Sequence, residues 1–403
     1  MGKKLLTEIY DIETLSNLFT YTSYVIEEDK WYQFVIHQDM NQASELFEHL
    51  TRKGFFQVGF NNNNFDYPVL HHFINHWSEL EYKYGYEIAN DLYQKAQNLI
   101  NDENQFKEVA DKNKHIYQID LFTIWHYNNK ARRASLKDIE FAMNMENVQE
   151  MPINHEQYCT KKDIPLVLEY NKNDVLATYK FYKVTLGETD YSIYKGRNKL
   201  SLRTNFKKMF NIPCLNWPDV KIGEQLMLTL YCRENHLDPK IVKTWGTPRK
   251  SIDLKNCIPK WENIKSKEFK RFLEIVKSTT IVPGDKKLGK FSTSIIFHGI
   301  QFDFGLGGSH GCCKSGVYES DDESIIVDLD IASLYPSIAK SLGLYPEHLG
   351  KSFLNQYVQF IDTRIAEKHK PKEERNNALI EGYKLLLNGT YGRDVLFFPY
   401  HLL

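Results

Sequence analysis

The chain has 403 residues, of which 42% are hydrophobic, and a formal net charge of −1. This length suggests two or three domains, and the apolar content excludes a disordered chain. A charge near zero neither indicates nor excludes a nucleic-acid partner, because acidic metal sites can offset a basic groove.

The sequence lacks the patterns of membrane insertion and of export. No uninterrupted apolar run is long enough to span a bilayer, and the N-terminal residues lead directly into strand-like sequence rather than a signal peptide. The six cysteines include no C-x-x-C pair, so we expect no zinc site. These features predict a protein with reduced thiols, no membrane association and a cytoplasmic location.

Strands alternate with helices over the first 185 residues, which is typical of an α/β domain. The predicted strands lie at 4–13, 19–27, 31–38, 55–60 and 115–121. One helix is predicted at 42–53. Another is predicted to begin after Ser135, where Asp138 completes a capping-box pattern.

The remaining residues are predicted to form a connecting region and a second domain. Residues 186–300 carry scattered basic residues and prolines without an interpretable motif, and we treat them as the connection. Residues 301–403 contain a glycine-rich stretch, an apolar strand predicted at 324–329 and a helix predicted from Ser333. Two more helices are predicted to meet at 370–372.

Acidic residues of the first domain have the spacing of a divalent-metal site. Asp11 and Glu13 lie two residues apart on a predicted strand, so both side chains point to one face. Asp66 follows a polar run at the end of another strand, and Tyr170 and Asp174 lie one helical turn apart. Carboxylate oxygens suit Mg²⁺, and paired ions of this kind support phosphodiester hydrolysis. The ordered set therefore predicts a nuclease site.

These segments resemble the three motifs of the DEDD-type proofreading exonucleases, in the subclass that carries a tyrosine. The second segment reads Gly-Phe-Asn-Asn-Asn-Asn-Phe-Asp at 59–66. The resemblance implies an RNase H-like 3′→5′ exonuclease domain with two Mg²⁺ or Mn²⁺ ions per site. It implies metal-binding and catalytic roles for Asp11, Glu13, Asp66 and Asp174, a catalytic role for Tyr170, and DNA-binding roles for Asn62 and Phe65. The strand ending at 121 and the basic stretch at 130–137 fit the same pattern.

The most specific signal is Val-Asp-Leu-Asp-Ile-Ala-Ser-Leu-Tyr-Pro-Ser-Ile at 327–338. It resembles motif A of family-B DNA polymerases, D-x-x-S-L-Y-P-S. The resemblance implies that Asp330 is catalytic and binds metal together with the backbone carbonyl of Ile331. It also implies that Tyr335 lies under the sugar of the incoming nucleotide.

The stretch Lys-Leu-Leu-Leu-Asn-Gly-Thr-Tyr-Gly at 384–392 resembles motif B of the same family, K-x-x-x-N-S-x-Y-G. Gly389 stands where that motif usually has serine. Lys384, Asn388 and Tyr391 share one helical face, and the resemblance implies that they bind the nucleotide substrate.

Two further segments carry predicted contacts. Arg364 and Lys368 lie one turn apart on a predicted helix and are candidates to bind the triphosphate, with a solvated basic face as the alternative. The glycine-rich stretch at 304–311 resembles the motif that joins exonuclease to polymerase in this family. There the backbone N–H groups of Gly307 and Gly308 are candidates to bind template phosphates, with a flexible turn as the alternative.

The resemblance covers nearly the whole chain but lacks the Asp-Thr-Asp of motif C and the thumb. The first interpretation is the N-terminal portion of a family-B DNA polymerase of phage or mobile-element type, located in the host cytoplasm if phage-encoded. It has an incomplete palm and a short α-helical fingers hairpin. It would act on a DNA primer-template and dNTPs together with a second polypeptide that supplies the missing parts.

Two alternatives stay open, a stand-alone metal-dependent exonuclease and a non-catalytic DNA-binding remnant. Without the hairpin of motif C, we expect the segment at 324–329 to leave unpaired backbone and an exposed apolar face.

Overall fold

The computed structural model describes residues 5–101, 108–154, 157–258, 263–285, 287, 289–306, 308–331 and 333–392. The chain divides into two compact units, Met1–Asp219 and Val220–Leu403. Residues 186–219 thus lie in the first unit, and the predicted boundaries at 185 and 300 stay predictions. Among the described helices, none combines the length and the apolar character needed to cross a bilayer.

The strands of the first unit are β1 (Leu6–Leu15), β2 (Leu18–Val25), β3 (Lys30–His37), β4 (Met40–Asn41), β5 (Phe55–Gly59) and β6 (Gln118–Asp120). Its helices are α1 (Ala43–Thr51), α2 (Asp66–Asn75), α3 (Trp77–Leu80), α4 (Gly85–Asn101), α5 (Leu121–Ile124), α6 (Leu136–Ala142), α7 (Ile164–Thr185) and α8 (Lys199–Phe210). Single 3₁₀ turns lie at Ile26–Glu28, Asp111–Asn113 and Lys130–Arg132.

One mixed sheet in the order β4-β3-β2-β1-β5-β6 organises this unit. β1 pairs antiparallel with β2 and parallel with β5, and β6 continues parallel to β5. The sheet confirms the predicted α/β class. The predicted strands correspond to β1, β2, β3, β5 and the shorter β6, and the helix predicted at 42–53 is α1.

Both faces of β1 are covered by helices, because side chains alternate along a strand. Tyr10 and Ile12 pack into a core shared with α1, α2 and α4. On the opposite face, Ile9 packs in a second core with residues of α5, α6 and α7. Asp11 and Glu13 lie on this second face, so the helix that carries Asp174 covers them.

Side chains cap the start of α6 and complete the hydrogen bonds at the outer edge of the sheet. The capping box predicted for α6 is present, because the Asp138 backbone N–H donates to Ser135 Oγ and the Ser135 N–H donates to Asp138 Oδ2. At the sheet edge, Asn216 Oδ1 accepts from the Asp120 N–H at 2.9 Å and Asn216 Nδ2 donates to the Gln118 carbonyl at 2.8 Å. One amide thus satisfies the outer backbone groups of β6.

The helices of the second unit are α9 (Asp219–Glu234), which begins at the last residue of the first unit, α10 (Pro239–Val242), α11 (Lys267–Lys277), α12 (Leu334–Leu342), α13 (Gly350–His369) and α14 (Asn377–Gly392). Its strands are β7 (Ile252–Asp253), β8 (Thr280–Ile281), β9 (Ser292–Phe297), β10 (Ile300–Gly305) and β11 (Gly308–Cys312), and 3₁₀ turns lie at Leu254–Cys257 and Lys372–Glu374. β9, β10 and β11 form an antiparallel sheet, and β7 pairs with β8. The helix predicted from Ser333 is α12, and the two helices predicted around 370–372 are α13 and α14.

The prediction of an apolar strand at 324–329 is wrong. These residues adopt no regular secondary structure, and Ile325 and Leu329 are 80% and 87% exposed. A β-strand depends on hydrogen bonds to a neighbour, and no described strand pairs with this segment. The expected exposed apolar face is therefore present, although the strand itself is not.

Candidate functional site

Three of the predicted acids converge in the first unit. Ligand oxygens of Asp11, Glu13 and Asp174 lie within 4.8 Å of one another. The first two come from one face of β1, and the third comes from α7, which packs across that face. All three residues are half-buried, so the cluster is partly shielded from water and still accessible.

Asp66 stands beside this triad at the first residue of α2. It is buried, and its carboxylate accepts hydrogen bonds from its own backbone N–H and from that of Ile12. Its charge also raises the pKa of both Asp11 and Glu13. The structure thus brings all four predicted acids into one neighbourhood, with Asp66 outside the tightest group.

Burial and mutual repulsion raise the pKa values of the four acids. Burial is the largest cause for each, and the charges of the neighbouring acids add to it. The pKa of Asp66 and that of Asp174 rise to about 7, and the pKa values of Asp11 and Glu13 lie well above their usual range. Like charges in a desolvated space disfavour ionisation, and a cation reverses this effect. An all-oxygen donor set of this kind fits a hard divalent ion.

The helix α7 supplies two more polar contacts to the cluster. Tyr170 is hydrogen-bonded to Asp174, and burial and the nearby acids raise the pKa of its phenol, which stays neutral. Asn171 Nδ2 donates to Asp11 Oδ2 at 2.6 Å, and Thr20 Oγ1 donates to Asn171 Oδ1 at 3.2 Å. Sequence reasoning missed Asn171, although a polar run from 170 to 174 on a largely buried helix was a signal for it.

Asp120 holds the loop that leads to Asp66, a role not predicted from the sequence. Its Oδ1 accepts from the N–H groups of Asn61 and Phe122 at 2.9 Å, and its Oδ2 accepts from the Asn63 N–H at 3.3 Å. The carboxylate is buried, and burial raises its pKa to about 7 despite these hydrogen bonds.

The two residues predicted to bind DNA near this loop differ in exposure. Asn62 is buried and donates to Gln118 Oε1 at 2.8 Å, so its side chain supports the loop from within. Phe65 is half-buried and packs against the core shared with α2. Burial therefore argues against a direct contact of the Asn62 side chain with DNA, whereas part of Phe65 is accessible.

The helix α6 brings two charged residues toward the acids. Lys137 lowers the pKa values of Glu13 and Asp174, which burial and the other acids raise, and it forms an ion pair with Glu150. Glu140 has the opposite effect, because its charge adds to the burial that raises the pKa of Asp174. Lys137 was predicted only as part of a basic stretch, and Glu140 was not predicted at all.

The residues of the predicted polymerase site lie in the second unit. Asp330, Ile331 and Tyr335 are exposed. Arg364 connects the start of α12 to α14, because its Nη1 donates to Ser333 Oγ at 3.1 Å and its Nε donates to the Ile380 carbonyl at 3.3 Å. Within the described part of the chain, Asp330 belongs to no group of acids close enough to hold a metal.

The other predicted contacts of this unit are spread over α13, α14 and β11. Lys384 is half-buried with its Nζ 4.0 Å from Glu381 Oε2, and both Lys368 and Asn388 are exposed. Gly308 has a φ of +147° at the start of an exposed strand. Gly307 and the side chain of Tyr391 lie outside the described residues.

A close helix crossing explains why residue 389 is a glycine. A Cβ atom on Gly223 of α9 would lie 1.9 Å from the carbonyl oxygen of Leu385, and one on Gly389 would lie 2.9 Å from that of Val220. Such distances are shorter than van der Waals contact, so the backbones of α9 and α14 touch. The smallest residue is required on both helices.

No protein-family model matches the chain, and no curated protein matches its sequence. Of the two groups of residues described above, the acid cluster of the first unit is the more complete, because its acids lie close enough to hold a metal ion.

Proposed function

We propose that the chain is a metal-dependent 3′→5′ DNA exonuclease whose first unit has an RNase H-like fold. The convergence of Asp11, Glu13 and Asp174 within 4.8 Å, with Asp66 and Tyr170 beside them, carries this proposal. The sheet supports it, since β3, β2 and β1 are antiparallel and β5 and β6 extend the sheet in parallel, as in RNase H-like domains. The 3′→5′ direction follows from the resemblance of the motifs.

The four acids would hold divalent cations, Mg²⁺ or Mn²⁺, which supply Lewis acidity and an activated water for phosphodiester hydrolysis. Asn171 engages Asp11 Oδ2 and so leaves Asp11 Oδ1 for a ligand. Tyr170 keeps its proton at neutral pH, so it orients Asp174 and can position a water without acting as a base. Lys137 is a cation near Glu13 and Asp174, where the phosphate of a substrate would add further negative charge.

The test is degradation of a 5′-labelled DNA single strand by the purified chain with Mg²⁺ or Mn²⁺. We expect a ladder that shortens from the 3′ end, and no cleavage by an Asp11→Ala/Glu13→Ala double variant. The exposed acid Glu146 provides a matched control, and Glu146→Gln should leave the rate unchanged. Full activity of the double variant would contradict the proposal.

A second candidate is nucleotidyl transfer as part of a family-B DNA polymerase. The observation that favours it is Arg364, which joins Ser333 of the motif A segment to the helix that carries Lys384. Because Asp330 belongs to no described group of three residues that could hold a metal, we propose that this activity needs a second polypeptide that supplies another metal-binding aspartate. Primer extension with dNTPs, measured in an Asp11→Ala background, should be absent for this chain alone. Templated extension by the single chain would show that no second polypeptide is needed.

The third interpretation, a non-catalytic DNA-binding remnant, is tested in the same experiments. It requires that the wild-type chain retain labelled DNA in a mobility-shift assay while showing no metal-dependent cleavage.

A further inference from the structure

Glu140 is a buried acid whose bonding is incomplete. It lies on α6 and is only 1% exposed. Its Oε1 accepts one long hydrogen bond, 3.4 Å, from Asn173 Nδ2, and its Oε2 is buried with no hydrogen-bond partner among the described residues. Burying a carboxylate oxygen without a hydrogen-bond partner costs free energy. A further partner is therefore expected for this oxygen.

The neighbours of Glu140 connect it to the acid cluster. Asn173, its hydrogen-bond donor, directly precedes Asp174 on α7. Lys137, one turn earlier on α6, forms its ion pair with Glu150. Glu140 is thus linked through Asn173 to the helical turn that carries Asp174, and its second carboxylate oxygen is left without a described hydrogen-bond partner.

We propose that Glu140 is a fifth acid of the cation site, and that its free oxygen accepts a hydrogen bond from a water on the divalent cation held at Asp174. The proposal rests on the proposed function of the acid cluster. A contact through water is favoured over direct ligation because Glu140 is not among the acids whose ligand oxygens lie within 4.8 Å of one another. Magnesium usually keeps several waters when bound to protein, and these waters need acceptors.

A purely structural role is the competing explanation. In that case Glu140 would only accept the hydrogen bond from the Asn173 amide and so hold α6 against α7. A glutamine at position 140 distinguishes the two explanations. Its carbonyl oxygen can still accept the hydrogen bond from Asn173, but the negative charge is lost and an NH₂ group replaces the free oxygen.

The experiment titrates Mn²⁺ into the full chain and follows free Mn²⁺ by electron paramagnetic resonance, without substrate. Wild type, Glu140→Gln and the control Glu146→Gln are compared. We expect wild type to bind two Mn²⁺ ions and Glu140→Gln to bind one of them about 10-fold or more weakly, as is usual for loss of an outer-shell partner. Glu146→Gln should bind both ions as wild type does. Unchanged Mn²⁺ affinity in Glu140→Gln would overturn the proposal.

Thermal unfolding in EDTA and in Mn²⁺ gives an independent readout. Because the substitution removes a buried, unpaired charge, Glu140→Gln should melt at the same or a higher temperature than wild type in EDTA. Adding Mn²⁺ should also raise the melting temperature of Glu140→Gln by less than it raises that of wild type. A lower melting temperature in EDTA combined with a full Mn²⁺ gain would assign Glu140 a structural role only. Glu140→Asp, which keeps the charge but withdraws the oxygen, should also weaken Mn²⁺ binding.

Failure of this inference can be told apart from failure of the proposed function. If wild type binds no Mn²⁺, or if the Asp11→Ala/Glu13→Ala variant binds it equally well, the cation site itself is wrong. If wild type and the double variant differ as expected while Glu140→Gln matches wild type, only the role of Glu140 is wrong.

Discussion

The phenol of Tyr170 and the amide of Asn171 each hold one acid of the cluster in place. Tyr170 is hydrogen-bonded to Asp174 on the same helix, and Asn171 donates a hydrogen bond to Asp11 on β1. Both contacts favour the ionised form of the acid, since each lowers a pKa that burial raises. These neighbours therefore determine how readily the cluster loses its protons and accepts a cation.

On the proposed function, Tyr170→Phe should lower the rate of DNA degradation about 10–100-fold, the usual effect of losing a residue that orients a metal ligand. Loss of its hydrogen bond should raise the pKa of Asp174 further, so the acidic limb of the rate profile should move to higher pH. The measurement is kcat/KM on single-stranded DNA across pH. Tyr82→Phe, at an exposed tyrosine, is the control. A lower rate with an unshifted profile would mean that Tyr170 acts on another group.

Individual elements differ in how far local sequence determines them. β1, β2 and β3 were predictable because they are rich in β-branched and aromatic residues, and α1 because its buried residues recur at the helical period. The segment at 324–329 was not, because strand formation depends on a neighbour that local sequence does not reveal. Asn171, Asp120 and Glu140 were missed because their partners come from distant segments, and residue spacing says nothing of such contacts.

The crossing of α9 and α14 yields a prediction for the second unit. Gly223→Ala should reduce the free energy of unfolding by about 2 kcal/mol or more, because overpacking forces the backbones apart. Gly389→Ser should cost less, since its nearest contact is longer, 2.9 Å against 1.9 Å. Urea unfolding measures both. Gly316→Ala, where an added Cβ meets no atom closer than 3.9 Å, should be nearly neutral. Equal stability of Gly223→Ala and wild type would show that the helices are not in contact there.

For the whole molecule, the acid cluster links the free energy of unfolding to pH. Asp66 and Asp174 have pKa values raised to about 7, so the stability associated with their protonated forms is complete below their unfolded pKa values. That stability is lost as the pH rises through 7. On the proposed function, divalent cations bind the ionised cluster, so they should restore stability most strongly above pH 7.

In EDTA, the melting temperature of wild type should thus fall more steeply between pH 5 and pH 8 than that of Asp174→Asn, which lacks one of the raised groups. Adding Mn²⁺ at pH 8 should raise the melting temperature of wild type and have much less effect on the variant. Parallel pH curves for the two proteins in EDTA would contradict the assigned pKa of Asp174.

The amide of Asn216 completes the hydrogen bonds of β6. This contact determines where the chain can be cut to produce the first unit alone. A fragment cut at residue 185 would lose this amide and also Arg203, a fully buried cation that bonds the carbonyls of Ile124 and Trp217 and the carboxylate of Asp219. The exposed edge of β6 could then pair with the same edge of another molecule. A fragment that ends after 219 keeps both groups, and it is the one to express for crystals or spectra of the first unit.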